Sequence, residues 1–144
     1  MNQRRPAYLQ PSSLALTFVG GTLGAAAREG ISLAFPAQDG IDWAVFAVNL
    51  SGAFLLGVLL DALARRGPDQ GRRRALRLLV GTGFMGGFTT FSTFAVGLVA
   101  LLEAGSVSAA LFYGLGTVLF GALATLAGIS IATWTHSKSG EDTA

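Results

Sequence analysis

Long uncharged stretches divide this chain, and short polar knots separate them. Leu14 to Ala27 carries no charge, and apolar character resumes from Ile31 to Phe35 after the pair Arg28-Glu29. Trp43 to Leu60 is uncharged, and so are Leu78 to Leu102 and Ala104 to Thr135. A helix needs about 20 such residues to cross a bilayer core. The pattern predicts an all-α membrane protein with four transmembrane helices at 12–35, 43–64, 76–102 and 106–135, and a polar tail at 136–144. Turn signals fall between them: Pro36-Ala37-Gln38-Asp39-Gly40, Arg65-Arg66-Gly67-Pro68-Asp69 and Glu103-Ala104-Gly105-Ser106. Trp43 and Trp134 sit at span ends, where aromatic side chains favour the interface. Arg4-Arg5, an apolar run and Ala25-Ala26-Ala27 also imitate a secretory leader, but apolar character returns after Arg28-Glu29, which favours a membrane helix.

Composition fits this pattern and removes several chemistries. The 144 residues suit one domain, 51% are hydrophobic and 12% are charged, against about 25% charged in a typical soluble domain. Cysteine is absent, which excludes disulfides and thiolate sites. The one histidine, His136, falls in the polar tail and reads as solvated. No carboxylate occupies the centre of a span, and no catalytic set, metal-ligand spacing or phosphate loop is present. The chain therefore offers no candidate enzyme chemistry.

Charge also orients the chain. Four spans place Arg4, Arg5, Arg65, Arg66, Arg72, Arg73, Arg74, Arg77 and Lys138 on one side, nine of the ten basic residues, and leave Arg28 alone on the other. The positive-inside rule then predicts that both termini are cytoplasmic. This bias explains the arginine cluster without a nucleic acid, and the bilayer is the expected surroundings.

The third span departs from a plain membrane helix. GFMGGFTTFSTF, residues 83–94, holds three glycines, three threonines, a serine and four phenylalanines. Gly86-Gly87 weakens a helix, and the hydroxyls can satisfy backbone groups freed by a break. A break exposes carbonyls that suit a cation, and N–H groups with a positive dipole end that suit an anion. Phe88, Phe91 and Phe94 recur at helical spacing, as a packing stripe or as ring edges turned toward a small anion. Asn49 in the second span is either a helix–helix lock or a donor to a permeating anion. Arg28 either snorkels or pairs with Glu29. Tyr113 and Thr117 share a face of the fourth span, although threonine commonly bonds its own backbone. Gly20/Gly24, Gly83/Gly87, Thr117/Gly121 and Ala124/Gly128 form small-xxx-small pairs that allow close helix approach.

Gly20-Gly21-Thr22-Leu23-Gly24-Ala25-Ala26-Ala27-Arg28, Asn49-Leu50-Ser51-Gly52-Ala53-Phe54-Leu55-Leu56-Gly57 and GFMGGFTTFSTF together resemble the CrcB/Fluc fluoride channel family. The resemblance covers all four spans. It implies passive, fluoride-selective export by an antiparallel dimer with a break in the third helix and a structural sodium ion at the interface. It places the sodium-ligating backbone carbonyls on Gly86 and Thr89. It places the fluoride pore on Asn49, Phe91, Phe94, Tyr113 and Thr117, and leaves Arg28 as a candidate for the pore vestibule. Gly97 and Gly121 stand where the family commonly has polar residues, a departure in the pore lining. The charge bias argues for one fixed orientation, so the expected dimer partner is a homologous second chain of opposite topology, and otherwise a second copy of this chain. The rival readings are a non-transporting membrane assembly subunit and a small multidrug-type transporter. The latter lacks the acid it would need in its first span.

Overall fold

The structure, a computed structural model, describes residues 10–38 and 40–141. Arg4, Arg5 and Asp39 lie outside them. Every element named among the described residues is helical. Helix α1 spans Pro11–Ala34, with proline in its first turn, where its missing N–H costs nothing. Helix α2 spans Trp43–Arg65, and the Asp42 side chain caps it by accepting from the Val45 amide at 2.8 Å. Helix α3, Gly71–Leu76, runs directly into a π-helical stretch, Arg77–Phe84, and then into α4, Met85–Phe88. Thr89 and Thr90 are extended, and α5 resumes at Phe91–Glu103. Gly105, with φ of 73°, turns the chain into α6, Val107–Glu141. The helix thus runs on past 135 as far as Glu141, within the polar tail.

Three segments are long and apolar enough to cross a membrane: Trp43–Arg65, Gly71–Glu103 and Val107–His136. Helix α1 has the length, 24 residues, but Arg28-Glu29 and its glycines dilute its apolar character. The surface suits lipid or a partner more than water. Phe18, Phe91 and Phe112 are 75%, 79% and 82% exposed, while Val45 and Val48 are the large side chains that are fully buried.

Two parallel helix pairs form the framework. Helix α1 packs along the π-helical stretch and α4, and α2 packs along α6. Parallel direction follows from the contacts at each end. The Arg74 guanidinium donates to Ser13 Oγ at 3.1 Å at one end of the first pair, and Arg28 Nε donates to the Gly87 carbonyl at 3.3 Å further along. In the second pair Tyr113 Oη donates to the Asp42 carbonyl at 3.3 Å, and Arg65 reaches Thr133 Oγ1 at 2.8 Å. Glycines set the spacing. A Cβ on Gly24 would lie 2.0 Å from the Phe84 carbonyl oxygen, and one on Gly128 would lie 2.3 Å from the Phe54 carbonyl oxygen. Backbones this close leave no room for a methyl group. Gly121 behaves differently, since nothing lies within 4 Å of its notional Cβ.

Candidate functional site

The interruption between α4 and α5 is built by competition for amides. In a continuous helix the Thr90 amide would bond the Gly86 carbonyl, and the Thr93 amide the Thr89 carbonyl. Instead Thr90 N–H donates to Asn49 Oδ1 at 2.8 Å, and Thr93 N–H donates to Thr90 Oγ1 at 3.3 Å. Thr90 is thereby the N-cap of α5. Asn49 Nδ2 completes a two-way bond by donating to the Thr90 carbonyl at 3.0 Å. The Gly86 and Thr89 carbonyls lose the amides that regular helix would give them. Gly52 makes room for this arrangement, because a Cβ there would stand 2.3 Å from Thr89 Cγ2.

The glycines do not sit at the break itself. Gly86 and Gly87 belong to helical α4, and the extended residues are Thr89 and Thr90. Gly87 serves packing, since its notional Cβ would stand 2.2 Å from the Gly21 carbonyl oxygen.

A groove of about 380 Å³ opens beside the break, and Asn49, Thr89, Thr90, Phe91, Phe94 and Thr117 line it. Five strands of sequence reasoning therefore meet in one place: the asparagine, the break, both later phenylalanines and the fourth-helix threonine. Tyr113 does not line the groove. It is buried against Phe94, with ring centroids 5.4 Å apart, and its hydroxyl is turned to Asp42. Phe91 and Phe94 stay within 5.9 Å of each other, yet Phe91 is exposed and Phe94 is 6% exposed.

The three phenylalanines do not form one stripe, because the extended residues rotate α5 away from α4. Phe88 instead stacks on Phe84 at 5.6 Å and packs with Val48 and Met85.

Most hydroxyl protons near the groove are already directed. Thr89 Oγ1 donates to the Met85 carbonyl at 2.8 Å, and Thr117 Oγ1 donates to the Tyr113 carbonyl at 2.7 Å. Thr90 and Ser92 hydroxyls lie 3.2 Å apart. Asn49 keeps its second amide N–H, and Phe91 keeps its ring edges. The groove is therefore mostly apolar, with few donors.

Arg28 neither pairs with Glu29 nor stands free. Its Nε bonds the Gly87 carbonyl, so α1 is fastened two residues before the break. The partner is a backbone atom 59 residues away, which no side-chain pattern announces. Gly52 as the gap beside Thr89 also escaped sequence reasoning, whereas Thr90 is one of the hydroxyls expected to satisfy backbone groups freed by a break. The Thr90-x-x-Thr93 spacing before an apolar run was the available signal for the cap.

Residues 15–129 match the family described as CrcB-like protein, Camphor Resistance (CrcB). The chain belongs to the CrcB family. Among its curated relatives, Fluoride-specific ion channel FluC 2 of Leifsonia xyli subsp. xyli is 49% identical over 126 residues, covering 88% of this chain and 87% of the relative. Fluoride-specific ion channel FluC 1 of Cutibacterium acnes is 44% identical, covering 79% and 80%. Fluoride-specific ion channel FluC 2 of Nocardia farcinica is 40% identical, covering 88% and 89%. The matched region of this CrcB chain contains the interrupted segment, the whole groove and most of both parallel helix pairs.

Proposed function

We propose that this chain is a subunit of a fluoride channel that lets cytoplasmic fluoride leave passively, and that it is not an enzyme. The groove carries the reading: an interrupted membrane segment, a fixed asparagine and two phenylalanines meet in a mostly apolar cleft. Its curated relatives are named fluoride-specific ion channels over most of the chain. Hydrogen fluoride enters cells as a neutral weak acid and ionises in neutral cytoplasm, so a passive path for the anion suffices. A negative interior drives an anion outward by about 2.3 kcal/mol per 100 mV. Small anions shed water only where donors replace it. Asn49 fixes the break and offers its remaining N–H, Phe91 and Phe94 offer positive ring edges, and Thr117 offers a polar wall. Tyr113 acts from behind, by seating Phe94. Arg28, held on the Gly87 carbonyl, is the candidate for the pore vestibule.

The chain's donor set fits a structural sodium ion. Gly86 and Thr89 present uncharged carbonyl oxygens whose helical amides are diverted, and hard oxygen donors suit a hard cation. A second copy or homologue facing the exposed side of Gly86 would supply a matching pair. When bound, the ion would supply a fixed positive charge that joins the two breaks. Exchange of sodium for choline should then lower the thermal unfolding midpoint of the assembled protein.

Helix α1 completes a four-span bundle in this reading, and the dimer is antiparallel. Ser13 with Arg74, and Arg65 with Thr133, mark one end of the molecule, so six arginines between 65 and 77 gather there. That bias supports one orientation with cytoplasmic termini and a homologous partner of opposite orientation.

Fluoride efflux from proteoliposomes, with chloride as control, tests these proposals. Rapid fluoride-selective release from this chain alone would establish conduction by a homodimer and overturn the heteromeric proposal. Release only after co-reconstitution with a homologous chain would support both. Silence in both preparations would overturn the channel reading and favour an assembly subunit.

A further inference from the structure

Arg65 and Arg66 are neighbours with different fates. Arg65 is spent: its Nε bonds Asp61 Oδ2 at 2.6 Å and it reaches Thr133 Oγ1 at 2.8 Å. Arg66 has an anchored backbone. Its amide donates to the Leu63 carbonyl at 3.2 Å, and its carbonyl accepts from the Arg73 guanidinium. Its own guanidinium has no hydrogen-bond or ion-pair partner among the described residues. It lines a cavity of about 380 Å³ between the ends of α2 and α6, together with His136, Thr135, Ala62 and Ala132. Among the described residues, no carboxylate lines that cavity. Among the described residues, the acid that interacts with His136 is Asp61, already engaged by Arg65 and Thr133.

We propose that this cavity binds the phosphate of an anionic membrane-lipid headgroup and thereby clamps α2 to α6. A guanidinium with a fixed stem presents paired N–H donors that match phosphate oxygens, and an imidazole adds another donor. Depth favours a lipid over free phosphate. The cavity sits at the ends of two membrane-crossing segments, Trp43–Arg65 and Val107–His136. Trp134, 60% exposed, precedes the cavity-lining Thr135 in α6, at the level where indoles meet headgroups. A net anion is favoured over a zwitterion because a quaternary ammonium would find no carboxylate there among the described residues. Basic pockets between transmembrane helices recognise headgroups by this chemistry. The inference is independent of what the channel conducts.

The test is lipid binding to the detergent-solubilised full chain at neutral pH. Phosphatidylglycerol and phosphatidylcholine are titrated separately, with inorganic phosphate as a third arm, and bound lipid and thermal unfolding are both read. Phosphatidylglycerol should bind and raise the unfolding midpoint, and phosphatidylcholine should do so far less. Arg66→Gln should weaken phosphatidylglycerol binding by about tenfold, the loss of one charge-assisted hydrogen-bonded contact. Arg72→Gln removes an exposed arginine that does not line the cavity, and should leave binding intact. His136→Gln should weaken it less than Arg66→Gln and serves as the second probe if the latter does not fold. Equal binding by wild type and both cavity variants overturns the proposal. So does equal loss in Arg72→Gln, which would mean diffuse charge attraction. An equal midpoint gain from inorganic phosphate overturns the lipid as its source.

Discussion

Replacing Asn49 with alanine tests whether one side chain makes the break. The substitution removes two bonds to the Thr90 backbone, the 2.8 Å bond to its amide and the 3.0 Å bond to its carbonyl. Each neutral bond contributes about 1 kcal/mol net, and stranding a buried backbone group costs about 1–3 kcal/mol. The site is half-buried, and the freed amide has a fallback in the Gly86 carbonyl one helical turn away, so the lower part of that range applies. A destabilisation of about 2–3 kcal/mol is expected. If the amide takes that fallback, α4 extends and the Gly86 carbonyl is recaptured. Thermal unfolding in detergent, with and without sodium, reads both consequences, and fluoride efflux from proteoliposomes reads the third. Asn49→Ala should lower the midpoint, lose most of the sodium dependence and abolish selective efflux. Asn49→Asp keeps the acceptor for Thr90 N–H, so it should retain more stability but repel an anion. An Asn49→Ala protein with wild-type midpoint, sodium response and flux would refute the reasoning.

Gly24→Ala should prevent assembly of α1 on α4 or cost at least about 2 kcal/mol, because its methyl meets backbone rather than a movable side chain. Gly30→Ala, with nothing within 4 Å of its notional Cβ, should be neutral, and yields of monodisperse protein check the contrast. Phe91→Ala should lose flux at unchanged midpoint, whereas Phe94→Ala should lose both, since truncating a buried phenylalanine costs about 3–5 kcal/mol. Asp69 titrates below the usual carboxylate range because Arg77 donates hydrogen bonds to it at 2.7 and 3.0 Å, which outweighs the opposing effect of desolvation. A lowered folded-state value means its stabilisation is present above the unfolded value of about 3.9 and is lost as pH falls through the folded one. The midpoint gap between wild type and Asp69→Asn should therefore close below about pH 4, and a gap constant from pH 6 to 3 would count against it.

The helical character and the approximate places of the turns were legible because charge is confined to short knots. Local sequence was less informative wherever a distant partner sets the geometry. RLLVGTGF reads as ordinary helix, yet it winds as π-helix, with the Met85 amide reaching the Val80 carbonyl, alongside a closely packed α1. Gly86-Gly87 marks low helical resistance, but the break falls at Thr89-Thr90 because Asn49, 41 residues away, captures an amide there. The phenylalanine stripe assumed continuous helix through 88–94, and two extended residues undo that period. Tyr113 and Thr117 share a helix, but their neighbours differ: Thr117 meets the groove, and Tyr113 meets Phe94 and the start of α2. Small-residue spacing foretold close approach for Gly24, Gly83, Gly87 and Gly128, yet it gave no warning that Gly121 would stand in open space.

The glycine contacts of α1 have a consequence for heritable variation. On that side of the interrupted segment, backbone meets backbone, so no rotamer change can absorb a larger residue. On the groove side, Phe91 and Thr117 present side chains with room around them. Substitutions can therefore accumulate on one flank and be purged on the other. New ion preferences in descendants of this chain should arise by rewriting the groove faces of α5 and α6, while Gly20 and Gly24 of α1 remain as they are.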